Sequence, residues 1–228
     1  GHGLEGPRRL GPNDVALLAA MNIHRVPVVR RPVVALVSTG DELVMPGETP
    51  RSGQIIASNT FGLQAMFRAA GADARILPIA KDTAHSLRFA FDLARDADMV
   101  VTIGGASVGD HDLVGDIAAE LGMTRAFHKV AMRPGKPLMS GRLGRQVMIG
   151  LPGNPVSAMV CGTIFVLPVL RVMMGFAPAP TPRVTVPLAV DIAANGPREH
   201  YMRARRTQDG VLPFGAQDSS LLSVLGAA

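Results

Sequence analysis

Between residues 33 and 122 the same pattern occurs three times: a short apolar run stops at a polar loop, and apolar positions then recur every three or four residues. The runs are Val33–Val37, Arg75–Ile79 and Met99–Ile103. They are apolar nearly throughout rather than alternating, which predicts strands covered on both faces. Leu63, Met66, Phe67 and Ala70 follow the first run, with Ser58 or Asn59 as the cap and Gly71 as the stop. Leu87, Ala90, Phe91 and Ala94 follow Asp82-Thr83, and Val114, Ile117, Ala118 and Leu121 end at Gly122. Such spacing predicts amphipathic helices. Repeated β-loop-α units predict an α/β fold with a doubly wound, mostly parallel sheet. Ligands of such sheets bind beyond the carboxyl ends of the strands. The loops Thr39–Glu42, Lys81-Asp82 and Gly104–Asp112 are therefore expected on one rim.

Further along, Phe127–Met132 and Val147–Leu151 read as strands, and Asn154-Pro155 is a strong helix start. The helix expected from Val156 to Met174 is apolar nearly all round, which predicts burial. Its apolar run, Val156–Leu170, is about fifteen residues and ends at Arg171, short of the roughly twenty that a membrane span needs. Four segments result. Residues 1–32 form an N-terminal lead-in, with a short helix capped by Pro12-Asn13-Asp14 and an extended stretch to Pro32. Residues 33–176 form the α/β domain, and 177–182 a stiff Pro-rich linker. Residues 183–228 form a small β domain from Arg183–Val190, His200–Arg206 and Val211–Phe214.

Composition narrows the function. Of 228 residues, 47% are apolar and 18% charged, as in a folded globular chain. A net charge of +5 suits anionic ligands, while aromatics at 4% leave few stacking platforms, so no nucleic-acid partner is expected. The single cysteine, Cys161, excludes a disulfide framework and points to a reducing, cytoplasmic setting as a buried thiol. The six histidines show no metal-ligand spacing.

The richest chemistry lies in Val100–Asp112, V-V-T-I-G-G-A-S-V-G-D-H-D. A strand emptying into a glycine-rich turn before a helix offers backbone N–H groups and a positive dipole end to an anion. Asp110 and Asp112 beside an anion make sense when a divalent cation accompanies it, as Mg²⁺ accompanies phosphates. Isolated loop aspartates are more often caps or turn formers, and Asp82 is placed to cap its helix. Lys136 within P-G-K-P has little structural reason to be there.

T-G-D-E-L (39–43), G-G-A-S-V-G-D-H-D (104–112), P-G-K-P (134–137) and L-P-G-N-P-V-S-A (151–158) occur in this order. Together they resemble the molybdopterin molybdenumtransferase family, MoeA and the gephyrin E domain, over about residues 10–225. The resemblance implies Mg²⁺-assisted insertion of molybdate into adenylylated molybdopterin with release of AMP. It also implies a homodimer, N-terminal domains preceding this stretch, and an adenylyltransferase that supplies the substrate. On it, Glu42, Asp82 and Asp112 are the catalytic and metal-binding carboxylates. Gly104, Gly105 and Ser107 cradle phosphate, with Thr39, Asp110 and Asn154 also on the substrate. Lys129, Arg133 and Lys136 form the basic cluster for phosphate or molybdate oxygens, and Arg203 and Ser219 face the pocket from the β domain. Arg133 stands where a lysine is common. Two other readings remain on this fold: a molybdopterin adenylyltransferase, against which T-G-D-E-L and L-P-G-N-P count, and a non-catalytic binding or scaffold module.

Overall fold

The structure, a computed structural model, describes residues 8–105, 112–179 and 181–226. Its centre is a six-stranded sheet in the order Asp73–Ile76 (β4), Val33–Ser38 (β1), Met99–Ile103 (β5), Gln146–Leu151 (β9), Met139–Leu143 (β8) and Met123–His128 (β6). The first four run parallel, while β8 is antiparallel to both β9 and β6. β5 is buried at all five positions, as an uninterrupted apolar run demands.

Alternate side chains of the central strands feed two cores. Val34, Leu36, Met99 and Val101 face Asn59–Ala69 (α2) and the long helix that begins at Pro155. Ala35, Val37 and Val100 face Ala84–Leu93 (α3) and Leu113–Glu120 (α4). A doubly wound sheet with helices on both faces is therefore the fold, as the periodicity predicts.

The long helix, Pro155–Met173, consists of Pro155–Cys161 (α5), a π-turn at Gly162–Val166 and Leu167–Met173 (α6). The wide turn lies just ahead of Pro168, which has no N–H to donate and whose ring crowds a regular turn. With 19 residues and a mean hydropathy of 2.0 it is long and apolar enough to cross a membrane by length and composition, so the expectation from run length does not hold. Packing gives the helix another role, because Val156, Ala158, Cys161, Val166 and Leu170 are fully buried against the sheet and α2. It is not buried all round, since Thr163 and Val172 are exposed.

Other departures lie toward the sheet's edges. The expected strand Arg75–Ile79 starts at Asp73 and ends at Ile76. The expected strand Phe127–Met132 divides into the end of β6 and a separate pair, Met132–Arg133 (β7). β8 was not predicted, because M-S-G-R-L lacks any apolar alternation. Two further short strands, Leu43–Val44 (β2) and Ile55–Ile56 (β3), pair in parallel beyond β1. Pro12–Ala20 (α1) forms as predicted but buries no residue.

After residue 182, Glu199–His200 (β10) pairs with β7, and Ala204–Thr207 (β11) forms a hairpin with Gly210–Pro213 (β12). Arg183–Val190, predicted as a strand, contributes only the bridge between Leu188 and Val211. Leu222–Gly226 (α7) follows. Neither core cluster lies within this region, whose Tyr201 packs onto the core of the sheet domain.

Candidate functional site

Backbone pairing continues past the strand ends and holds their loops together. Thr39 N–H donates to the Ile103 carbonyl (2.9 Å), Gly104 N–H to Leu151 (3.1 Å), and Gly40 N–H to Ala80 (3.1 Å). The loops so fixed enclose a cleft of about 610 Å³ at the carboxyl rim of the parallel strands. Thr39, Glu42, Asp82, Gly104, Gly105 and Asn154 all line it, so the structure brings these six predicted residues together.

The two glycines are needed where they stand. Gly104 has φ +92°, and a Cβ there would lie 2.6 Å from the Thr39 carbonyl oxygen. Gly105 has φ +66°, and its Cβ would lie 2.7 Å from Thr39 Oγ1. Both conditions exclude an ordinary side chain. The Gly104 amide is committed to Leu151, so its contribution is the turn and not the N–H donor that the sequence suggested. Thr39 Oγ1, beneath the glycines, is buried with no hydrogen-bond partner among the described residues.

The acidic side of the cleft is Glu42 and Asp82, with Asp41 adjoining. The helix behind them is capped by Thr83, whose hydroxyl accepts from the Ser86 amide (3.3 Å), so Asp82 is not the cap that the sequence suggested. Burial, then the charges of Asp41 and Glu42, push the Asp82 carboxyl above the usual carboxylate range. Among the described residues no group of three or more metal-ligating side chains is close enough to hold an ion. Two carboxylates plus ligand oxygens and water remain a fitting Mg²⁺ arrangement, since that ion keeps much of its own shell.

Asp112 stands elsewhere. It is the N-cap of α4, its Oδ1 accepting from the Gly115 amide at 2.9 Å, and it does not line the cleft with Glu42 and Asp82. Its side chain is 12% exposed, and its Oδ2 lies 3.8 Å from His128 Nε2. Ser107 and Asp110 lie outside the described residues.

A second hollow, about 370 Å³, adjoins the first and shares Pro137, Pro152 and Asn154 with it. This basin is basic. Arg133 lines it from β7, Lys136 from the loop that follows, and Arg198, His200 and Arg203 from around β10, against a single acid, Asp218. Arg203 is only 4% exposed; its Nη2 donates to the Asp218 carbonyl (3.3 Å), while Nε and Nη1 have no partner among the described residues. Lys129, predicted to join this cluster, is exposed and lines neither hollow.

Asn154 joins the two halves. It occupies the N-cap position of α5, yet its side chain does not cap; Nδ2 donates to Ser219 Oγ at 3.0 Å. The helix is capped instead by the Ser219 carbonyl, which accepts from Val156 N–H at 2.9 Å. Sequence reasoning missed Arg198 and His200. The one signal for them is the β7–β10 pairing, which sets His200 opposite Arg133, and short pairs between distant segments leave no periodic trace.

A doubly wound sheet with a two-lobed cleft at its carboxyl rim defines an α/β protein of the class whose small-molecule sites lie beyond the strand ends. Residues 35–172 match the family described as a probable molybdopterin binding domain, and the chain belongs to that family. It is similar to the molybdopterin molybdenumtransferase of Nostoc sp., with 39% identity over 199 residues, 85% of this chain and 46% of that protein. Against the Bacillus subtilis molybdopterin molybdenumtransferase, identity is 32% over 225 residues, 96% of this chain and 52% of the relative. The crystal structure of a molybdopterin biosynthesis MoeA protein from Pyrococcus horikoshii superposes with a TM-score of 0.77 at 30% identity, covering 92% of this chain and 51% of that one. The chain thus spans about half the length of the curated relatives it matches.

Proposed function

We propose that this chain acts in molybdenum cofactor biosynthesis, carrying the substrate site of a transferase that inserts molybdate into adenylylated molybdopterin and releases AMP. The observation that carries this reading is the shared wall: an acidic cleft and a basic basin meet at Pro137, Pro152 and Asn154. The reaction brings together a pyrophosphate, which needs a cation, and an oxyanion, which needs cationic donors. One lobe suits each.

Glu42 and Asp82 are the residues that would hold Mg²⁺; burial, then the charges of Asp41 and Glu42, raise the Asp82 carboxyl, and a cation would offset the charge part of that cost. These two carboxylates would set the ion's positive charge against the pyrophosphate oxygens. The Gly104-Gly105 turn, free of side chains, lets the ligand approach the backbone closely. In the basin, Arg133, Lys136 and Arg203 present donors to molybdate, with Arg203 held in place by Asp218 and Gln217. The substrate is supplied by an adenylyltransferase, and the working unit is a homodimer.

The experiment is AMP release from adenylylated molybdopterin on adding molybdate and Mg²⁺. Release is expected, falling by at least about tenfold in Glu42→Gln and Asp82→Asn, as loss of metal support does. Pterin binding with no release under any condition would leave a binding module. AMP transfer from ATP onto molybdopterin would instead make the chain an adenylyltransferase.

A further inference from the structure

One residue of the basin has no part in that scheme. His200 lies on β10 in parallel register with Arg133 on β7, and both line the hollow with Arg198 and Arg203. Its Nε2 is shielded from solvent and has no hydrogen-bond partner among the described residues. Nε and Nη1 of the buried Arg203 share that condition. The residues that carry these nitrogens line a hollow of about 370 Å³ whose charged side chains are cationic but for Asp218.

The charges facing the imidazole are nearly all positive: Arg133 from β7, Lys136 from the following loop, and Arg198 and Arg203 from either side of β10. The neighbouring Glu199 pairs with Arg183 at 2.9 Å. Asp218, across the basin, accepts from both the amide and the hydroxyl of Ser220 at 2.8 Å. Burial first, then Arg133, Arg203 and Arg198, hold His200 below its ordinary range. Those surroundings therefore favour the neutral imidazole in the protein alone.

A tetrahedral dianion seated among those guanidiniums reverses the field at the imidazole. We propose that binding of such an oxyanion in the basin is coupled to uptake of one proton from solvent by His200. This rests on the reading that the basin is the oxyanion site. On uptake both ring nitrogens carry hydrogen, and the imidazolium adds one positive charge opposite the dianion.

The sign follows. The imidazole titrates lower in the free protein than in the complex, so affinity is greatest at a pH below the free-protein value. It falls by up to about tenfold per pH unit as pH rises between the two values, and is level above both.

The test is calorimetric titration of the full chain with molybdate, and with sulfate as a dianion that does not titrate in this range. Measurements run from about pH 5.5 to about pH 8.5 in buffers of differing ionisation enthalpy. Proton uptake approaching one per anion is expected within the window. In His200→Gln the uptake should vanish and the affinity stay level with pH, near the alkaline limit of the native protein; His200→Asn serves if the first variant is unstable. Binding with no proton uptake, or uptake that survives the substitutions, overturns the role of His200 and leaves the basin reading intact. No binding of either anion at any pH overturns both.

Discussion

Each carboxylate at the rim has a local alternative to ligand binding, and the hydrogen bonds decide between the two. Asp112 is committed to its helix: Oδ1 holds the Gly115 amide at 2.9 Å, and Gly115 is a glycine because a Cβ there would collide with Asp112 Oδ2 and with Arg125. Replacing a capping aspartate by alanine costs about 1 kcal/mol, whereas asparagine caps equally well. Asp112→Ala is therefore expected to lower the unfolding free energy in urea by about 1 kcal/mol, and Asp112→Asn by no more than a few tenths. A neutral Asp112→Ala would mean that the carboxylate is not working as a cap. At Asp82 the outcome is reversed, because the adjacent Thr83 takes the cap. Both residues stand just ahead of a helix in the sequence, and aspartate and threonine are both good caps. Only the three-dimensional hydrogen bonds separate the cap from the carboxylate that lines the cleft.

At the scale of elements, what can be read from the chain is what burial enforces. β1 and β5 are covered on both faces, so their apolar runs are unbroken and were identified to within a residue. β8 passes unnoticed because Ser140, Gly141 and Arg142 give no pattern, its place being set by antiparallel pairing with β9 and β6. Arg183–Val190 shows the converse: its alternation suits a strand, but the chain gives it a single bridge. The long helix is a finer case. Its apolar run predicts burial, but not that Gly162 packs tightly against α2, where a Cβ would lie 2.7 Å from Leu63 Cδ2. Gly162 is fully inside the helix, so helix propensity alone would favour alanine there. Packing is expected to win. Gly162→Val should destabilise the protein by about 1–3 kcal/mol, the usual cost of overfilling a tight contact. Denaturation followed by tryptophan-free methods such as far-ultraviolet dichroism will read it, and a stabilised variant would show that the two helices are free to part.

For the molecule as a whole, the two lobes of the site are made by different lengths of chain. Nearly all of the acidic cleft comes from residues 38–155, on the parallel sheet and its loops. The basin draws Arg133 and Lys136 from that same domain but needs Arg198, His200, Arg203 and Ser219 from the region after 182. That region is anchored by few attachments: β10 on β7, Tyr201 on the core, and Ser219 at the start of α5. A chain ending at Pro182 retains both core clusters apart from the Tyr201 contact, and is expected to unfold cooperatively. Losing the Ser219 cap should cost it about 1 kcal/mol. Ligands that bind only the native state raise its melting temperature, so each lobe can be assayed separately. Mg²⁺ should still raise the melting temperature of the shortened chain through Glu42 and Asp82, while molybdate should no longer do so. A molybdate shift that survives would mean that Arg133 and Lys136 suffice alone, and that the basin is not a joint product of the two segments. Loss of both shifts would mean that the C-terminal region also shapes the acidic cleft, through Ser220 and the Asn154–Ser219 hydrogen bond at the wall the lobes share.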